Sequence, residues 1–104
     1  MIFVALHESA SKGELLLVDD GMCRFHRRRD GSVTVREILV LPHRQRKGIG
    51  RAMLTEVLAR ANGHIVRARC PLSCESGNAF WAKMGFTLID TARQINTWQR
   101  PRNQ

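Results

Sequence analysis

The sequence predicts a mixed α/β (α+β) domain, with a mixed sheet of about six to seven strands and two main helices. Three observations predict it. Short apolar runs separated by Asp-Gly turns fill residues 15–41. A helical stripe with apolar residues at 49, 53, 54, 57, 58 and 61 follows a basic, glycine-containing turn. Short strand-like runs then resume on either side of one further helical segment.

Residues 2–6 read as a first strand, and residues 7–13 are too short and polar for more than a loop or one helical turn. Leu15–Val18 is a second strand. Asp19-Asp20-Gly21 turns the chain into residues 22–28, and Arg29-Asp30-Gly31 turns it again into residues 32–41. Three antiparallel strands in a meander are therefore expected. Residues 38–41 form a continuous apolar run closed by Pro42. Such a run suits a strand buried on both faces and stopped where the ladder has no donor.

The helix starting at Ile49 is expected to stop at Asn62-Gly63, a left-handed terminator. Residues 64–70 read as a strand, and a loop holds Pro71, Ser73 and Cys74. Ser76 is a candidate N-cap for a short helix over 77–84, with Gly85 as its stop. Residues 86–90 and 95–99 form a closing hairpin, and residues 100–104 a loose tail. Met53, Phe80 and Met84 read as core.

A chain of 104 residues is expected to form one domain over 1–104, long enough to bury about two thirds of its unfolded surface. Hydrophobic residues at 43% and charged residues at 25% are ordinary for a globular protein. The apolar start lacks a preceding basic region and a small-residue cleavage site, so it does not read as a secretory signal, and no segment approaches a membrane span. A cytoplasmic location is the expectation. Cys23, Cys70 and Cys74 are an odd number and argue against a disulfide framework. Cys23-x-x-His26 with Cys70-x-x-x-Cys74 has zinc-like content, but strand residues three apart point to opposite faces. Reduced, partly buried thiols and no metal are expected. The formal net charge is +8, which favours acidic or polyanionic partners, nucleic acid among them through Arg27, Arg28 and Arg29.

The turn before the first long helix carries the chemistry. Gly48 and Gly50 have no Cβ, so a ligand can approach the backbone, and the free N–H groups of the first helical turn form an anion site. Arg44, Arg46, Lys47 and Arg51 surround it with positive charge. A phosphate or pyrophosphate seated on residues 45–50 is predicted. A Walker loop would need the lysine directly before a serine or threonine at its end, and here the lysine precedes the glycines. A dinucleotide fingerprint wants three glycines and a later acid, whereas this turn has two and the next strand is basic.

Gln45-Arg46-Lys47-Gly48-Ile49-Gly50 resembles the Gln/Arg-x-x-Gly-x-Gly/Ala acyl-CoA motif of the GNAT-type N-acetyltransferase superfamily. As in that family, it follows a strand ending in Val-x-Pro, here Val40-Leu41-Pro42. A second block, Asn78-Ala79-Phe80-Trp81-Ala82-Lys83-Met84-Gly85-Phe86, is similar to the family's later helix and the Gly-Phe that leads into the next strand. The resemblance covers residues 14–99. It implies a GNAT-like sheet that lacks the family's usual N-terminal helices, since residues 7–13 cannot hold them. A face left open in this way invites a second subunit, and a homodimer is one expectation.

The activity implied is acetyl-CoA-dependent transfer of an acetyl group to a primary amine of a protein, a small molecule or an aminoacyl-tRNA. The amine would attack the thioester between two splayed strands, residues 37–41 and 65–70. Coenzyme contacts are expected from the backbone of Leu39, Val40 and Leu41, from Gln45, Arg46, Lys47, Gly48, Ile49, Gly50 and Arg51, and from Asn78 and Trp81. A backbone N–H near Val40 would stabilise the thioester oxyanion. Glu37 is the best-placed general base, although Arg36 or another cation offers it a simple ion pair. Where many relatives place a tyrosine to protonate the departing thiolate, this chain has Trp81 and no tyrosine anywhere. Water, Cys74 or a nearby serine would have to serve, and the alternative reading is a catalytically weak acyl-CoA or nucleic-acid binding module.

Overall fold

Alternating residues and short turns produce the expected meander. In the computed structural model, which describes residues 13–100, the strands are β1 Leu15–Val18, β2 Gly21–Arg27 and β3 Val33–Val40. A 3-10 turn, Pro42–Arg44, leads to helix α1, Ile49–Ala61. Strand β4 Val66–Pro71, helix α2 Glu75–Lys83, and strands β5 Thr87–Ala92 and β6 Ile95–Arg100 complete the order. The expectations for residues 2–6, 7–12 and 101–104 lie outside the described residues. Among the described residues the sheet has six strands in the order β1-β2-β3-β4-β6-β5. Of these strand pairs only β3 and β4 run parallel, as a helical crossover between them requires.

Both helices pack on one face of this sheet. A Cβ on Gly77 of α2 would come within 2.8 Å of Cys70 Sγ, and a Cβ on Gly50 of α1 would meet Phe80 and Val40. Between helices and sheet lie Cys23, Phe25, Val33, Val35, Met53, Leu54, Val57, Val66, Trp81 and Trp98, all buried. Phe80 and Met84 lean on that core from its edge. On β4 the alternation is strict: Val66, Ala68 and Cys70 are buried against the helices, and Arg67 and Arg69 project from the other face. Among the described residues, no helix is long and apolar enough to cross a membrane.

Several boundaries differ from the sequence expectation for identifiable reasons. Helix α2 begins at Glu75, with Cys74 as its N-cap, rather than at 77 behind Ser76. The Asn78 N–H already bonds Cys74 O at 3.0 Å, so Ser76 falls inside the first turn. Strand β4 starts at Val66 because His64 stays with the helix end, its N–H on Ala61 O at 3.0 Å. The run 38–41 is not buried on both faces: Leu39 is 56% and Leu41 47% exposed, since helices cover only one side.

Candidate active site

The site begins where β3 and β4 part. Their ladder holds for three pairs only, Val33↔Val66, Thr34↔Arg67 and Val35↔Ala68. Immediately afterwards Arg36 is an extra residue against β2, because Arg24 pairs with Glu37 while Phe25 pairs with Val35. A bulge of this kind bends its strand and ends pairing locally. From there β3 continues to Val40 and β4 to Pro71 with no ladder between them, which leaves a V-shaped opening.

Main-chain direction in the opening follows from one bond. The Leu41 N–H donates to Asp20 O at 2.9 Å, so by antiparallel alternation Leu39 also bonds toward β2. The N–H and C=O of Ile38 and Val40 therefore point into the V. This corrects the expectation that Leu39, Val40 and Leu41 all offer backbone to a ligand. Leu39 faces β2, and Leu41 is taken by Asp20 and by Arg44, whose N–H bonds Leu41 O at 2.8 Å.

The basic turn closes the far end of the opening. Gln45 Nε2 donates to Val40 O at 3.1 Å, and Arg44 is held by Asp20 at 2.9 Å, so the turn is tied to the end of β3 and to the β1–β2 hairpin. Arg46 has φ 64 and Gly48 φ 83; two left-handed residues aim the chain abruptly into α1. Helix α1 starts behind Gly48 with no side-chain cap and no acid in its first turn. The first helical bond is Ala52 N–H to Gly48 O at 2.9 Å, which leaves the N–H groups of Ile49, Gly50 and Arg51 directed outward. A Cβ on Gly48 would meet nothing within 4 Å. Lys47, Arg46 and Arg51 are exposed around this space. Uncapped amides, open room and unneutralised cations fit a phosphate.

Two residues expected at the coenzyme have other duties. Asn78 Nδ2 donates to Pro71 O at 3.0 Å and to Cys74 O at 2.9 Å. Its Oδ1 accepts from Asn96 Nδ2 at 3.0 Å and from Trp98 Nε1 at 2.9 Å. The amide is thus saturated as a clamp between the end of β4, α2 and β6, with nothing left for pantetheine. Trp81 is 3% exposed and stacks with Phe80 and Phe86, centroids 5.1 and 4.9 Å away. It is a core residue, not a wall of the opening; Phe80, against Gly50, stands nearer to it.

Glu37 lies on the side of β3 away from both helices, and of the cations that could pair with it the partner is Arg24. Arg24 donates to Oε1 from Nε at 3.0 Å and from Nη2 at 2.6 Å. Neither Arg24 nor Asp20 stood out in the sequence; the signal that could have found them is meander register, which pairs the start of β2 with the end of β3. Cys23 and His26 do face opposite sides of β2: Cys23 is in the core, and His26 Nδ1 is 3.1 Å from Glu14. Burial pushes the Cys23 thiol up to about 12. Burial, with Cys74 beside it, pushes that of Cys70 up to about 11.

Comparison with known proteins agrees with this geometry. The PaiA N-acetyltransferase from Thermoplasma acidophilum, solved in complex with coenzyme A, superposes with a TM-score of 0.80 at 18% identity, over 96% of this chain and 69% of that one. Arabidopsis thaliana Naa50 in complex with the bisubstrate analogue CoA-Ac-MVNAL gives 0.65 at 22% identity, over 78% of this chain and 64% of that one. Ard1 from Thermoplasma volcanium gives 0.73 at 15% identity, over 93% and 74%. At these identities the likeness is one of fold. Among curated protein sequences none matches. A family model described as an acetyltransferase (GNAT) domain matches residues 1–88. With the sheet, the parted strands and the glycine turn all in place, the chain belongs to the GNAT acetyltransferase family.

Proposed function

We propose that the protein is an acetyl-CoA-dependent N-acetyltransferase in which a primary amine attacks the thioester directly. The observation that carries this reading is that the opening between β3 and β4 ends at the uncapped start of α1. One groove thereby joins an anion site to a strip of unpaired backbone. The amides of Ile49, Gly50 and Arg51 would hold the coenzyme diphosphate, and Arg46 and Lys47 would neutralise it. The N–H and C=O of Ile38 would bond the pantetheine arm, and the Val40 N–H, whose carbonyl is taken by Gln45, is directed toward the space where a thioester oxygen would gain charge.

Holding amine and thioester in one opening removes much of the entropic barrier of a bimolecular step. The helices fill one side of the sheet, so the amine approaches from the other, past Glu37. There the second carboxylate oxygen, Oε2, has no partner among the described residues and takes the amine proton directly or through water. The test is incubation with labelled acetyl-CoA and a panel of primary amines. Label appearing on an amine nitrogen supports the reading. Tight coenzyme binding with no transfer to any amine replaces it with a binding module, the alternative that buried Trp81, in place of a tyrosine, favours.

A further inference from the structure

On the side of the sheet away from both helices, three carboxylates among the described residues already have partners, one of them through a single oxygen. Glu37 is held by Arg24, Glu14 by His26 and the Arg27 N–H, and Asp30 by the Ser32 hydroxyl at 2.6 Å. Arg36 and Arg69 have no ion pair or hydrogen bond among the described residues, and both are exposed. The parallel ladder ends at Val35↔Ala68, so Arg36 on β3 and Arg69 on β4 are each the first residue past the last pair, by strand alternation both on the side where Thr34 lies opposite Arg67. The two arginines thus stand at the apex of the V, one on each strand, where the strands begin to part. Like charges close together on neighbouring strands are destabilising, and among the described residues no acid is paired with either. Arg67, one pleat back on β4, spends its Nε on Gln99 Oε1 at 2.8 Å and adds to the same positive field.

We propose that Arg36 and Arg69 form an anion-reading clamp at the acceptor mouth, and that the acceptor is an amine whose molecule also carries a carboxylate or a phosphate. The inference rests on the acetyltransferase reading for the word acceptor, but the clamp itself does not need turnover. A planar guanidinium offers paired donors to either anion. With the anion held at the apex, the amine is directed along the opening toward Glu37 and away from the coenzyme phosphates, which have their own cations at the turn. Neutral amines lack this anchor, so the clamp sets specificity and does not perform chemistry.

The experiment uses the coenzyme A-loaded protein and two matched pairs of small amines: β-alanine against its amide, and 2-aminoethyl phosphate against 2-aminoethanol. Calorimetry reads binding, and acetyl transfer from acetyl-CoA is read separately. In at least one pair the anionic member is expected to bind about tenfold tighter or more. The arm that shows the preference distinguishes carboxylate from phosphate. The Arg36→Ala/Arg69→Ala double variant abolishes the preference, Arg69→Lys retains part of it, and added salt weakens it. Equal binding within both pairs, no binding by any member, or a preference that survives the double variant overturns the clamp. A preference that vanishes in the double variant, with no transfer to any amine, leaves the clamp standing and removes the acetyltransferase reading. Transfer without preference does the reverse.

Discussion

Arg24 grips Glu37 through a single oxygen: Nε at 3.0 Å and Nη2 at 2.6 Å both fall on Oε1. The pair joins β2 to β3 immediately beside the bulge that parts β3 from β4. With both bonds on Oε1, Oε2 has no partner among the described residues. The ion pair and the proposed base role would thus occupy different atoms of one side chain. In Glu37→Gln, turnover at neutral pH is expected to fall roughly 10²-fold or more, while calorimetry finds acetyl-CoA affinity unchanged. Equal turnover would remove Glu37 from the mechanism.

Asn78 ties three elements through one amide, so its loss is a matter of stability. In Asn78→Ala, the Trp98 indole N–H and the buried Asn96 amide lose their acceptor, and leaving buried donors unpaired costs about 1–3 kcal/mol. Thermal melting is expected to show that loss. Coenzyme affinity, measured at a temperature where the variant is folded, is expected to change little. The opposite split, a normal melting point with impaired binding, would return Asn78 to the coenzyme.

The contrast between Asn78 and Gly48 shows what was legible in the sequence. The succession of strands along the chain, both helices and the glycine turn could be read because each rests on local signals: alternation, a 3.6-residue stripe, and glycine where φ is positive. Gly48 needed no partner to be understood. Asn78, Trp81 and Glu37 depend on what the tertiary fold brings to them: β6 to Asn78, Phe86 to Trp81, β2 to Glu37. Their chemistry was nameable, but their partners were not. Exposure of Leu39 was hidden for a related reason, since an apolar run does not reveal whether one face or two will be covered.

Gly48 separates conformation from ligand space. In Gly48→Ala a φ of 83 is imposed on a residue with a Cβ, at a cost of roughly 1–2 kcal/mol, but the new methyl enters open room. Gly48→Glu has a similar backbone cost and sets a carboxylate before the α1 amides. Acetyl-CoA binding is expected to survive the first and be lost in the second, with similar melting points. Equal binding by both variants would place the diphosphate elsewhere.

Cys23 links stability to alkaline pH. Burial pushes its thiol up to about 12 in the folded chain, from the 9.0 of a solvent-exposed thiol. Between those values the unfolded chain has lost the proton that the folded chain keeps, so stability falls as pH rises through that window. In Cys23→Ala the decline between pH 9 and 11 is expected to be shallower than in the wild type, whatever the offset from the lost sulfur. Identical slopes would contradict the assignment. At neutral pH a thiol reagent is expected to label exposed Cys74 rapidly and to spare buried Cys23 and Cys70 until denaturant is added.

The most direct measurement is a pair of titrations of the wild-type protein, one with acetyl-CoA and one with acetylpantetheine, which has the same thioester arm without the diphosphate. If the amides of residues 49–51 and the cations around them hold the coenzyme, acetyl-CoA binds and acetylpantetheine binds at least tenfold more weakly, with the difference shrinking as salt is raised. Equal affinity for the two compounds, or no heat with acetyl-CoA, would contradict it.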